Sequence, residues 1–276
     1  MLTMPQVATD EGFALFYEDL GPRGGAPVLF AHGLASSHEQ HMADAEHFAR
    51  RGYRVLVPDL RGHGRSGTPQ PMTAAGFTAT RMARDLALVL GAAEVGPVHW
   101  VGNSLGGILG LELLRRDEPR LRSLATFGTT FRLNLPRPAP YAILFAHGLF
   151  GPKRYARLAA RGMSRSPEAR RLIARVVEGW DPQVGYLAAQ DLIRYDHIPT
   201  ALGARVPLLL LRGGRDPQVN VVLGRTLAAL SGRPGFTLID IAGAGHCANL
   251  DRPDAVRTAL ARFWQRVDAG AGAVPG

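Results

Sequence analysis

The sequence predicts an α/β protein: a mostly parallel sheet with helices on both faces and one helical insertion over an end of the sheet. Three observations lead there. Short, wholly apolar runs recur along the chain, among them PVLFAH at 27–32, YRVLVP at 53–58 and PVHWVG at 97–102. Strands buried on both faces read this way, whereas half-exposed strands alternate. Segments of helical spacing separate these runs, the rhythm of crossover connections between parallel strands. One long stretch, 132–203, breaks that rhythm with Pro-rich punctuation and Arg-rich helical segments but no strand-like run.

Taken in order, 12–20 alternates (FALFYEDL) and suits an antiparallel edge strand. The strand at 27–32 is followed by helical character over 38–51, then by the strand at 53–58. Met82, Leu86, Val89 and Leu90 share one face of a helix over 78–90 that stops at Gly91. The strand at 97–102 runs directly into a helix at 105–116, and 121–127 is a further strand. After the insertion come a strand at 206–211, a helix at 219–230, a strand at 236–241 and a closing helix at 249–267. The expected organisation is a core of 1–131 and 204–267, a helical cap or lid at 132–203, and a disordered Gly/Ala tail at 268–276. Ligands of open α/β sheets bind at the carboxyl ends of the strands, so an insertion there roofs the site.

Composition excludes several classes. Hydrophobic residues make up 46% of the 276 and charged residues 20%, enough to bury a core. Cys247 is the single cysteine, which rules out an intramolecular disulfide and Cys-rich zinc modules. No apolar run approaches the roughly 18 residues of a membrane span. The first twelve residues lack a basic start and carry Asp10 and Glu11, unlike a signal peptide. A cytoplasmic protein is expected, with no membrane partner. The net charge of +9 is concentrated between 130 and 205, where 12 basic residues face 5 acidic ones. Lys153 is the single lysine among 32 basic residues, a usage that reads as coding bias on a solvated surface. No zinc-finger spacing or aromatic-interleaved basic motif accompanies it, so no nucleic-acid partner is expected.

The chemistry centres on Gly102-Asn103-Ser104-Leu105-Gly106-Gly107. Glycines two positions either side of a serine, between a strand and a helix, let the backbone turn tightly and project the hydroxyl from the sheet. In a chain with 33 glycines the pattern alone is modest evidence; the flanking strand and helix make it specific. A serine nucleophile needs a base. Of nine histidines, His246 follows the last strand and so shares the sheet edge of Ser104, whereas His32 and His63 suit structural hydrogen bonds and His99 lies mid-strand. Asp216, after the 206–211 strand, is the orienting carboxylate that ends at the same edge. Asp240 lies within a strand, and Asp251 and Asp254 suit capping of the last helix. An oxyanion hole requires two backbone N–H donors, expected from Leu34 and Leu105. Trp180 and Tyr186 are candidates to line the substrate pocket. Neither a His-Glu-x-x-His pair nor a carboxylate cluster is present to hold a catalytic metal, and none is expected.

The motifs HGL, PDLRGHGRSG, GNSLGG, GGRDP and AGHCANLDRP, in this order and spacing over about 12–267, resemble the α/β-hydrolase superfamily. The resemblance implies an eight-stranded sheet, a helical lid and a Ser-Asp-His triad without cofactor. A serine at the elbow separates the chain from haloalkane dehalogenases and epoxide hydrolases, which carry an aspartate there. GHCANLDRP is similar to a stretch of oxoadipate enol-lactonases and small-ester hydrolases. Asn103 resembles meta-cleavage product hydrolases, which cut carbon–carbon bonds, but Cys247 stands where those enzymes commonly have tryptophan. Cofactor-free perhydrolases share the triad, and lyases or cyclases can reuse it. The resemblance implies hydrolysis of a small or medium carboxylic ester or lactone.

Overall fold

A computed structural model describes residues 5–270. The strands are β1 (Gln6–Ala8), β2 (Ala14–Leu20), β3 (Pro27–Ala31), β4 (Arg54–Pro58), β5 (Val98–Asn103), β6 (Leu121–Phe127), β7 (Arg132–Asn134), β8 (Arg194–Asp196), β9 (Leu208–Gly213) and β10 (Phe236–Ile241). The helices are α1 (Met42–Ala49), α2 (Ala79–Ala92), α3 (Leu105–Arg115), α4 (Tyr141–Met163), α5 (Pro167–Glu178), α6 (Pro182–Leu192), α7 (Ile198–Gly203), α8 (Pro217–Asn220), α9 (Gly224–Leu230), α10 (Ala248–Asp251) and α11 (Pro253–Asp268).

Eight strands form one sheet in the order β1-β2-β4-β3-β5-β6-β9-β10. All pairs from β4 to β10 are parallel, and β2 joins β4 antiparallel. Strand alternation divides the core. Val28, Phe30, Val55 and Val57 face α1 and α11, where the Phe48 and Trp264 rings meet at a tilt with centroids 4.6 Å apart. Leu29, Ala31 and Leu56 face the opposite way, toward Met82 and Leu86 of α2 and Leu109 of α3. Successive side chains of a strand leave on opposite faces, so unbroken apolar runs are required when both faces are covered.

From β3 the chain moves to β4 on one side and then crosses to β5 on the other. This reversal is a switch point of the topology at the carboxyl ends of β3 and β5, where α/β sheets receive ligands.

Four expectations are corrected. The strand at 12–20 is not the edge, because the short β1 pairs outside it. The stretch 132–203 is not free of strands: β7 and β8 form an antiparallel ribbon, with Arg132 opposite Asp196, that brings both ends of the insertion side by side. Gly91 does not stop its helix; α2 runs to Ala92, and the chain turns at Glu94, whose φ is 51°. The last helix reaches Asp268, whose carboxylate meets His99 at 3.2 Å and Arg122 at 2.8 Å. The rest of the expected tail from 271 onward lies outside the described residues. Among those described, no helix is long and apolar enough to cross a membrane.

Candidate active site

Ser104 stands between β5 and α3, with φ 49° and ψ −113°. A side-chain-bearing residue held there costs about 1–3 kcal/mol, and the surroundings must impose it. The Ser104 N–H donates to the Phe127 carbonyl at 2.9 Å, and the Ser104 carbonyl accepts from Gly107 N–H and the Thr129 hydroxyl. Trp100 Nε1 donates to the Gly106 carbonyl at 3.0 Å, fixing the first turn of α3. Two glycines are obligatory by proximity. A Cβ on Gly106 would strike the Ala31 carbonyl, and one on Gly102 the Gly106 backbone.

Asp216 follows β9 and His246 follows β10, and hydrogen bonds between the two loops set their spacing. Arg215 N–H donates to the Ala244 carbonyl at 2.8 Å and Gly214 N–H to the Ile241 carbonyl at 3.1 Å. Asp216, 1% exposed, caps α8: its Oδ1 accepts from Gln218 N–H at 3.1 Å and Val219 N–H at 3.3 Å. Its Oδ2 accepts from His246 Nδ1 at 3.0 Å. With Nδ1–H so engaged, a neutral imidazole keeps its lone pair on Nε2. The His246 backbone is joined to the elbow as well, since Asn103 Nδ2 donates to the His246 carbonyl at 3.0 Å and to the Phe127 carbonyl at 3.1 Å. Ser104 Oγ has no hydrogen-bond partner among the described residues.

Leu105, first residue of α3, has no carbonyl within the helix to receive its N–H. The Leu34 N–H is likewise without a partner among the described residues. The loop carrying Leu34 lies against the elbow: a Cβ on Gly33 would sit 3.3 Å from Ser104 Cβ. That loop is held by the two histidines expected to be structural. His32 Nε2 accepts from Leu60 N–H at 3.0 Å, and His63 Nε2 accepts from Ala35 N–H at 3.3 Å. Burial pushes the His63 pKa down to about 3, so the ring remains neutral and able to accept.

A buried polar chain runs beneath the site. Arg257 Nε donates to Asp44, Asn249 Nδ2 donates to Asp44 and the Gln40 carbonyl, and Gln40 Nε2 donates to Asn103 Oδ1. Neither Gln40 nor Asn249 is singled out by sequence reading; the signal available was Asn249 within AGHCANLDRP. Asp251 does not cap the last helix. Its carboxylate turns toward the insertion, and α11 has no side-chain cap. Asp240 is an exposed partner of Arg212. Trp180 packs beside the His63 ring at 5.9 Å, and Tyr186 meets Tyr141 of α4 at 5.0 Å. Cys247 is buried, and burial, with the Asp251 and Asp216 carboxylates nearby, raises its thiol pKa, so it stays a neutral filler. The described residues contain no cluster of three or more metal-ligating side chains.

A model of the alpha/beta hydrolase family matches residues 28–259. A non-heme chloroperoxidase of Streptomyces lividans is 40% identical over 117 residues, 42% of this chain and 41% of that relative, so the match spans less than half of its length. Among solved structures, a thermophilic esterase from Thermogutta terrifontis is 26% identical with a TM-score of 0.80, over 96% of this chain and 97% of that one. The enol-lactonase of Burkholderia xenovorans LB400 superposes with a TM-score of 0.80 at 23% identity, over 95% and 100% of the two chains, a likeness of fold.

Proposed function

The chain belongs to the alpha/beta hydrolase family, and on that premise we propose that it cleaves a small or medium carboxylic ester or lactone through Ser104, Asp216 and His246, without a cofactor. The observation that carries this reading is the 3.0 Å bond from His246 Nδ1 to Asp216, formed at the sheet edge where Ser104 leaves β5. The similarity to an esterase supports it.

In this mechanism His246 Nε2 takes the proton of Ser104 as Oγ attacks the substrate carbonyl. Asp216 stabilises the imidazolium that results and fixes the ring tautomer. The tetrahedral oxyanion is received by the N–H groups of Leu34 and Leu105. His246 then protonates the leaving alkoxide, and a water, activated by the same nitrogen, releases the acyl group from Ser104.

The insertion acts as a cap that limits substrate size. Ala156, Ala160, Ile173 and Val177 of α4 and α5 cluster with Cys247 and pack on Ala35, the neighbours of the base and of the oxyanion loop. Each substrate methylene contributes about 0.8 kcal/mol only while apolar space remains for it. Measured from acetate to palmitate p-nitrophenyl esters at fixed detergent, kcat/KM is expected to peak at a short or medium chain; a monotonic rise to palmitate would reveal an open groove and refute the cap.

A second reading is favoured by the chloroperoxidase similarity: hydrogen peroxide in place of water at the acyl-enzyme, giving a peracid. Peracid formation from acetate and peroxide, absent in Ser104→Ala, tests it directly.

A further inference from the structure

Asp251 takes no part in the chemistry above, yet its carboxylate gathers four donors from two parts of the chain. Oδ2 accepts from Gly245 N–H at 2.6 Å. Oδ1 accepts from the Ser164 hydroxyl at 2.5 Å, from Arg165 N–H at 2.9 Å and from Ser166 N–H at 3.0 Å. The last three form the corner between α4 and α5. Gly245 immediately precedes His246. On the other side of the histidine, Cys247 N–H donates to the Met163 carbonyl at 3.0 Å, again at that corner. Both residues flanking His246 are therefore tied to the insertion, one through Asp251 and one directly. The loop lies flat on the corner: a Cβ on Gly245 would stand 3.0 Å from Asp251 Oδ2 and 3.1 Å from the Met163 carbonyl. Asp251 is itself fixed, since its N–H donates to the Cys247 carbonyl at 3.1 Å.

We propose that Asp251 is a positioning residue for His246, holding the histidine loop in register with Asp216. The inference rests on the reading of His246 as the base. An acid is required at this position because the donors approach both oxygens. An asparagine satisfies one side only: with its oxygen turned to the three donors of the corner, its NH₂ faces the Gly245 N–H, donor to donor. Asp251→Asn thus releases the histidine loop while keeping the corner. Ser164→Ala does the reverse, removing one donor from the corner and leaving the Gly245 bond intact.

The experiment compares wild type, Asp251→Asn and Ser164→Ala, well below their melting temperatures, in three measurements. These are kcat and KM on a short p-nitrophenyl ester, the rate at which a fluorophosphonate probe labels Ser104, and amide exchange over 242–250. A displaced base of this kind lowers turnover by about 10- to 100-fold. Asp251→Asn is expected to lose that much in both kcat and labelling rate, with KM within threefold of wild type and faster exchange at Gly245. Ser164→Ala is expected to remain within threefold throughout. If Asp251→Asn does not fold, Asp251→Glu keeps the charge on a longer arm and is expected to lose about tenfold in kcat. Asp251→Asn, or Asp251→Glu in its place, with wild-type kcat and labelling, or with its loss confined to KM, overturns the proposal alone. A wild type that the probe does not label at Ser104 overturns the proposed mechanism, and this inference with it.

Discussion

Replacing Asp216 by asparagine changes one atom, and the structure dictates where that atom goes. Gln218 and Val219 present N–H groups to Oδ1 at 3.1 and 3.3 Å, so the asparagine must keep its oxygen there. Its NH₂ then faces His246 Nδ1 across the 3.0 Å formerly spanned by a hydrogen bond to a carboxylate. Two donors cannot share that space. The imidazole relieves the conflict by moving its proton to Nε2, the nitrogen that must receive the proton of Ser104. The ring stays in position but becomes the wrong tautomer, and the imidazolium loses its counter-charge. A loss of about 10²- to 10⁴-fold in kcat follows, or about 2.7–5.4 kcal/mol of transition-state stabilisation. Because the N-cap oxygen is retained, the fold should be little affected. The assay is kcat/KM on p-nitrophenyl butyrate with the melting temperature measured alongside, and Asp240→Asn is the control. Asp240 pairs with Arg212 on an exposed part of the sheet edge, a contact of about 0–1 kcal/mol with no link to the histidine. If the two variants have equal activity, or if Asp216→Asn stays within threefold of wild type, the assignment of the acid is wrong.

Ser104→Ala should fold normally and lose about 10⁴- to 10⁶-fold in kcat, and retention of a few per cent of activity in a clean preparation excludes Ser104 as the nucleophile. Prolonged dialysis against a strong chelator should leave the rate unchanged, whereas a loss restored by added metal would defeat the serine mechanism. Burial pushes the pKa values of both His41 and His63 down to about 3, against 6.5 when unfolded. Above pH 6.5 their stabilising contribution is complete. As pH falls below that value the unfolded chain takes up protons the folded one refuses, and about 1.4 kcal/mol is lost per pH unit for each histidine. Urea unfolding at pH 7.5 and 5.5 should therefore give a clearly lower stability at pH 5.5, and equal stabilities would mean these rings are not buried neutral.

Much of the sheet was legible because its strands carry the signal locally. Leu121–Phe127 and Phe236–Ile241 begin and end at the expected residues. β1, β7 and β8 were not, since three residues have no period and their pairing is specified by partners elsewhere in the chain. Gly91 misled for a different reason: glycine in a helix costs about 1 kcal/mol, a penalty that packing of the apolar face of α2 outweighs. The placement of Ser104, Asp216 and His246 after β5, β9 and β10 was legible in the strand ends, and the roles proposed for them rest on that placement. The roles of Gln40, Asn249 and Asp251 were not readable. An amide or carboxylate in a loop signals polarity, but its partners are chosen by tertiary contacts, as in the bond from Asn249 to the Gln40 carbonyl across 209 positions.

That long-range contact bears on how the protein is made. Translation delivers domains from the N-terminus, and contacts distant in sequence form late. The strands that shape the Ser104 elbow, from β3 to β6, are synthesised in the first half of the chain. His246, Asn249 and Arg257 arrive near its end, and with them the bonds from His246 and Gln40 to Asn103 and from Asn249 and Arg257 to Asp44. A nascent chain that has reached only β6 therefore holds the serine without the histidine loop that stands beside it in the folded protein. On the mechanism proposed above, a chain that stops short of His246 has no base, so activity would report that synthesis has run past the histidine loop.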